Sequence, residues 1–118
     1  MKIKDYNLTN DAQFLIASMY KDYLDKRKSG IDKRLARRFD TVDDIHDSIM
    51  PQWSTEDVLD TCFELRTKKL IIGSPANNTL VMISLTTDAV AALEISFMDK
   101  TESVIDFISK IKNAIPFI

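Results

Sequence analysis

The spacing of apolar residues turns from helical to strand-like at Leu70 and back again after Leu85. Before Leu70, apolar residues recur every three or four positions, as one face of an α-helix requires. Leu70-Ile71-Ile72 and Thr79 to Leu85 are instead continuous β-branched and apolar runs. Between them, Gly73-Ser-Pro-Ala-Asn-Asn78 is turn chemistry. This pattern predicts a mainly α chain with a two-stranded β-hairpin whose loop has about six residues.

The two glycines and three prolines stand between these segments, and capping residues mark the helix starts. Thr9 or Asn10 opens a first helix with Phe14, Leu15, Ile16, Met19, Tyr20, Tyr23 and Leu24 on one broad stripe, ended by Gly30. Asp32 to Phe39 reads as a short helix with Leu35, Ala36 and Phe39 on its apolar edge. Asp40 or Thr41 caps another, with Val42, Ile45 and Ile49, stopped by Pro51. Ser54 caps a longer third helix whose inward face is expected to be Val58, Leu59, Cys62 and Leu65, with Trp53 as a staple onto Val58. After the hairpin, Thr86 to Asp88 caps a helix carrying Ala89, Val90, Leu93 and Phe97. A last helix from about Thr101 to Ala114 bears Val104, Ile105, Phe107, Ile108, Ile111 and Ile115. At 118 residues and 45% hydrophobic, the chain is expected to form one domain over 1–118 with a single core.

That order resembles a winged helix-turn-helix domain with extra N- and C-terminal helices. The local resemblance runs from Thr41 to Leu93. Thr41-Val-Asp-Asp-Ile45 followed by Pro51-Gln-Trp-Ser54 reads as helix, turn and third helix. Leu65-Arg-Thr-Lys-Lys-Leu-Ile-Ile-Gly73 resembles the exit into a wing. Leu85-Thr-Thr-Asp-Ala-Val-Ala-Ala-Leu93 resembles the segment that follows the wing in PadR- and MarR-like regulators, with Ala89 where glycine is common. The whole chain is similar to small, YjcQ-like winged-helix proteins of Gram-positive bacteria and their phages. The resemblance implies a DNA-binding transcriptional regulator, although winged helices also bind RNA and proteins.

Charge is strongly segregated beneath a net charge of −2. Lys26, Arg27, Lys28, Lys33, Arg34, Arg37 and Arg38 stand against one acid, Asp32. From Asp40 to Asp60 there are seven acids and no lysine or arginine. The basic block, with Arg66, Lys68 and Lys69, is the candidate phosphate-contacting surface; a solvated helix end balancing nearby acids is the plainer alternative. The third helix opposes ordinary groove reading, because its outward positions include Glu56, Asp57, Asp60 and Glu64. The wing tip, Ser74 to Asn78, carries no cation either. Those four carboxylates therefore define an alternative, a protein-binding modulator of antirepressor or adaptor type that docks a basic surface.

Catalytic patterns are missing from the sequence. His46 is the one histidine and Cys62 the one cysteine, and Cys62 sits among Val58, Leu59 and Leu65 as a buried small hydrophobe would. No G-x-S-x-G elbow and no glycine-rich phosphate loop occur. A weak divalent-cation site at Asp43 and Asp47 beside His46 falls short of a metal-ligand set. The expectation is a non-enzymatic protein without cofactor or metal. The N-terminus lacks the apolar core of a signal peptide and no apolar run reaches spanning length, so a cytoplasmic location with no membrane partner is expected, and the sequons at Asn7 and Asn77 are coincidental. The last helix and the tail Pro116-Phe117-Ile118, with Tyr6 and Leu8, offer an apolar surface either for the first helix or for a homodimer.

Overall fold

A computed structural model describes residues 1–115. The tail Pro116-Phe117-Ile118 lies outside the described residues. After a 3-10 turn at Ile3–Tyr6, the elements are α1 (Asn10–Lys28), α2 (Lys33–Ala36), β1 (Arg38–Asp40), α3 (Val42–Ser48), α4 (Thr55–Thr67), β2 (Ile71–Ala76), β3 (Thr79–Leu85), α5 (Thr87–Phe97) and α6 (Val104–Asn113). The mainly helical class holds. The sheet corrects the expectation: among the described residues it has three antiparallel strands in the order β1-β3-β2, not a two-stranded hairpin.

α1 is the axis of the core. Phe14, Leu15, Ile16 and Ala17 are buried in succession, so the helix is enclosed on nearly every side rather than along one stripe. α2, α4, α5 and α6 all pack on it. Thr9 Oγ1 accepts the Ala12 N–H at its start. At its end Gly30 takes φ +88°, while Gly30 and Ile31 donate their N–H groups to the carbonyls of Arg27 and Lys26. This is a Schellman closure, which needs a left-handed residue at Gly30.

The expected helix over 32–39 is divided. α2 covers four residues, Asp32 makes no side-chain cap bond, and Leu35 is 46% exposed. Phe39 lies in β1 instead, buried between exposed Arg38 and Asp40. Arg38 pairs with Ser84 and Asp40 with Ile83, and the Leu85 N–H donates to the Arg37 carbonyl at 2.9 Å. Leu35, Ala36 and Phe39 mimic helical spacing, but β3 has a side to pair, and one apolar residue between two charges suits a short strand.

Thr41 caps α3 and Ser54 caps α4, each accepting a backbone N–H three residues on. The turn between these helices is anchored by buried Met50 and Trp53, the latter with its ring centroid 6.0 Å from that of Phe14. α4 buries Val58, Thr61, Cys62 and Leu65; Leu59 is only half-buried, which shifts the expected inward face by part of a turn. Thr61 is tolerated inside because its hydroxyl donates to the Asp57 carbonyl at 2.8 Å.

The hairpin loop is two residues, not six. β2 continues through Pro75 and Ala76, and Ala76 pairs with Thr79. Asn77 and Asn78 have φ of 50° and 62°, the two positive values of a type I′ turn. Pro75 can stay in the strand because β2 is at the sheet edge. The register slips between Ile72 and Ser74, opposite Met82, whose φ is 55° and whose side chain is 71% exposed.

Thr86 caps α5 and Ser103 caps α6. On α6, Ile111 is buried, Phe107 meets Phe97 edge-on at 5.6 Å, and Val104 and Ile108 are half-buried against the core. Ile105, expected on that stripe, is 58% exposed. Most of the apolar stripe is thus covered by the chain's own core. No helix among the described residues is long and apolar enough to cross a membrane.

Candidate functional site

Strand order brings the two basic segments together. Ser84 of β3 pairs with Arg38 on one side and Ile72 on the other. Arg38 and Ile72 are therefore about 10 Å apart, two strand spacings. Two residues further, Thr86 donates its N–H to the Leu70 carbonyl and its hydroxyl to the Lys69 carbonyl. The start of β1, the end of β3 and the start of β2 thus form one end of the sheet. Arg37 and Arg38 enter it from one side, and Lys68 and Lys69 from the other.

α1 and α2 add to the same end. The Lys26 ammonium donates to the Arg38 carbonyl at 3.0 Å, and Arg27 donates to the Ile31 carbonyl at 2.9 Å. The C-terminus of α1 is thereby tied to β1, with Lys33 and Arg34 on the short helix between them. Arg27, Lys28, Lys33, Arg34, Arg38, Arg66 and Lys69 are exposed, and Arg37 and Lys68 half-exposed. Among the described residues none of these nine makes an ion pair.

Lys26 is different. Its ammonium pairs with Asp22 at 3.1 Å and sits 4.4 Å over the Phe39 ring, as well as bonding Arg38. It holds α1 to β1 and has little left to offer a ligand. Arg66 is also engaged in part, its Nε donating to the Gly73 carbonyl at 3.0 Å. The basic end has acidic neighbours. Asp22, Asp40 and Asp44 share a shallow pocket with Arg38, and Asp88 shares another with Arg66 and Lys69.

The hairpin tip is at the other end of the sheet. Six residue steps of β3 separate Thr79 from Leu85, about 20 Å of extended chain. The hairpin tip therefore does not lie beside Lys26–Arg38, and the two do not form one continuous face.

The four candidate acids also divide. Glu56, Asp57 and Asp60 are exposed. Glu64 accepts the Thr9 N–H at 2.9 Å and the Thr9 hydroxyl at 2.7 Å, so it fixes the start of α1. Asp11 is drawn into this cluster. Burial first, then the charges of Asp57 and Glu64, raise its pKa above the usual carboxylate value. Phe63, 38% exposed beside the hairpin tip, is a surface feature that the reading of α4 overlooked. Its spacing from Asp60 and Glu56 would have placed it on the outward face.

Cys62 is fully buried, and burial pushes its thiol pKa up to about 12, which leaves it inert at neutral pH. Among the described residues no three His, Cys, Asp or Glu side chains are grouped to hold a metal ion. Comparison with protein-family models, curated proteins and solved structures finds no match for the chain.

Proposed function

We propose that this chain is a winged-helix DNA-binding regulator, non-enzymatic, that contacts phosphates with the basic end of its sheet. The observation that carries the reading is the convergence at Ser84. Ser84 pairs with Arg38 on one side and Ile72 on the other, so the end of the sheet that Arg37 and Arg38 enter is also the one that Lys68 and Lys69 lead into. Among the described residues these four cations make no ion pair. The helix-turn-helix of α3 and α4, followed by a β2–β3 hairpin and a β1 strand on the far side of β3, supports the winged-helix assignment. Under this reading the chain is a relative of the small YjcQ-like proteins of Gram-positive bacteria and phages.

Docking is then through backbone phosphates rather than by α4 in the major groove. Glu56, Asp57 and Asp60 would meet a phosphate-lined groove as like charges. Arg27, Lys28, Lys33, Arg34, Arg37, Arg38, Lys68 and Lys69 are the contacting groups; Arg66 is committed in part to the Gly73 carbonyl, and Lys26 is removed from the set because its ammonium is already bonded.

The test is fluorescence anisotropy with random-sequence duplex DNA across a salt series. Binding should weaken steeply with salt, by about 0.9 in log–log slope for each phosphate neutralised. The double variant Arg34→Glu, Arg37→Glu should lose binding and keep its fold. No binding at low salt, or a double variant that binds like the parent, overturns the reading.

A further inference from the structure

The outer face of α4 carries an exposed aromatic ring where it borders the hairpin tip. Phe63 stands across from Pro75, Ala76, Asn77, Asn78 and Thr79, and together they line a cleft of about 510 Å³. Asp60 and Glu56 precede Phe63 by three and seven positions, so all three share one stripe of the helix. Both acids are exposed, and no ion pair among the described residues engages them. From Ser74 to Thr79 the hairpin has no charged residue. The next cation on the stripe, Arg66, has its Nε bonded to the Gly73 carbonyl.

We infer that this cleft is a docking site for a protein segment that presents one apolar side chain flanked by lysine or arginine. The Phe63 ring, Pro75 and Ala76 give this shallow cleft an apolar floor edged by Asn77, Asn78 and Thr79, in the volume range of small-ligand clefts. Asp60, one turn of α4 from Phe63, and Glu56, one turn further, lie outside the lining itself and favour positive charge on what approaches the ring, disfavouring nucleic acid and acidic peptides. Binding is through side chains, not by adding a strand to the sheet. On the edge strand β2, Pro75 has no N–H to give and Arg66 holds the Gly73 carbonyl. The site is at the opposite end of the hairpin from Arg37, Arg38, Lys68 and Lys69, so the inference stands apart from the nucleic-acid reading.

The experiment is selection of a phage-displayed random peptide library on the full chain, followed by anisotropy with the enriched peptides. Enriched sequences should share an apolar residue with at least two lysines or arginines close by. Phe63→Ser should weaken such a peptide tenfold or more. Asp60→Lys should do the same, with unchanged far-ultraviolet circular dichroism in both variants. Arg34→Glu with Arg37→Glu should leave peptide binding intact, which separates this site from the proposed DNA face. Failure to enrich any peptide, enrichment of peptides without basic residues, binding indifferent to both α4 variants, or displacement of the peptide by duplex DNA in the Arg34→Glu, Arg37→Glu protein would each overturn the inference.

Discussion

His46 Nε2 lies 2.7 Å from the carbonyl oxygen of Trp53, while its Nδ1 lies 2.8 Å from Asp47 Oδ1. Both partners are acceptors, so both ring nitrogens must carry protons to satisfy them, and the contact prefers the imidazolium. The bond to Asp47 is the largest cause of a raised pKa, followed by the opposing effect of burial and then by the bond to Trp53 and the charges of Asp47 and Asp43. The ring thereby clips α3 to the turn that aims α4.

A pH dependence follows from that clip. A histidine whose folded pKa is raised stabilises the fold fully below its unfolded value of about 6.5, and the contribution fades as pH rises through the folded pKa. Denaturant midpoints should fall from mildly acidic to mildly alkaline pH. In His46→Gln that fall should be reduced. A pH slope equal in the two proteins would remove the clip from the account.

Helix ends offer a second test. Lys69 has φ 62° at the end of α4, where Lys69 and Leu70 donate to the Arg66 and Leu65 carbonyls, the same closure that Gly30 makes after α1. A side chain is strained in that conformation, and glycine is not. Lys69→Gly should raise stability by about 0.5–1 kcal/mol. Gly30→Ala should lower it by about 1 kcal/mol, from conformation alone, since nothing lies within 4 Å of the added carbon. Equilibrium urea unfolding of both variants would decide this, and equal shifts of one sign would contradict it.

Burial of Cys62 sets a third expectation. With its thiol pKa pushed up to about 12, the native protein should react with a thiol-specific disulfide reagent at least about 100-fold more slowly than a free cysteine. In urea it should react at the ordinary rate. Rapid labelling of the folded chain would show that α4 opens locally.

The helices were legible because their boundaries are chemical. Thr9, Thr41, Ser54 and Thr86 each accept the backbone N–H expected of a capping residue, and Gly30 ends α1 as anticipated. The strands were less so. β1 is three residues long with one inward side chain, Phe39, whose distance from Leu35 and Ala36 also suits a helix. Only its long-range pairing to Ser84 distinguishes the two, and local spacing carries no information on that. The hairpin loop was overestimated because Gly73 and Pro75 look like turn residues, yet a bulge and an edge position admit both into β2. The basic residues were readable as a block, but their junction with Lys68 and Lys69 depends on the same pairing. The commitments of Lys26 and Glu64 depend on partners twelve and fifty-five residues away.

The inward register of α4 gives the last expectation. Leu65 is completely buried in the core, whereas Leu59 is half-buried at its margin. Truncating a buried leucine removes its transfer free energy and leaves a cavity, a loss of about 2–5 kcal/mol. Leu65→Ala should fall in that range. Leu59→Ala, whose void opens to solvent, should cost less, about 1–2 kcal/mol. Chemical denaturation of the two proteins reads the difference directly. A larger loss at Leu59 than at Leu65 would mean that α4 is rotated from the register described, and Phe63 would then turn away from the hairpin tip.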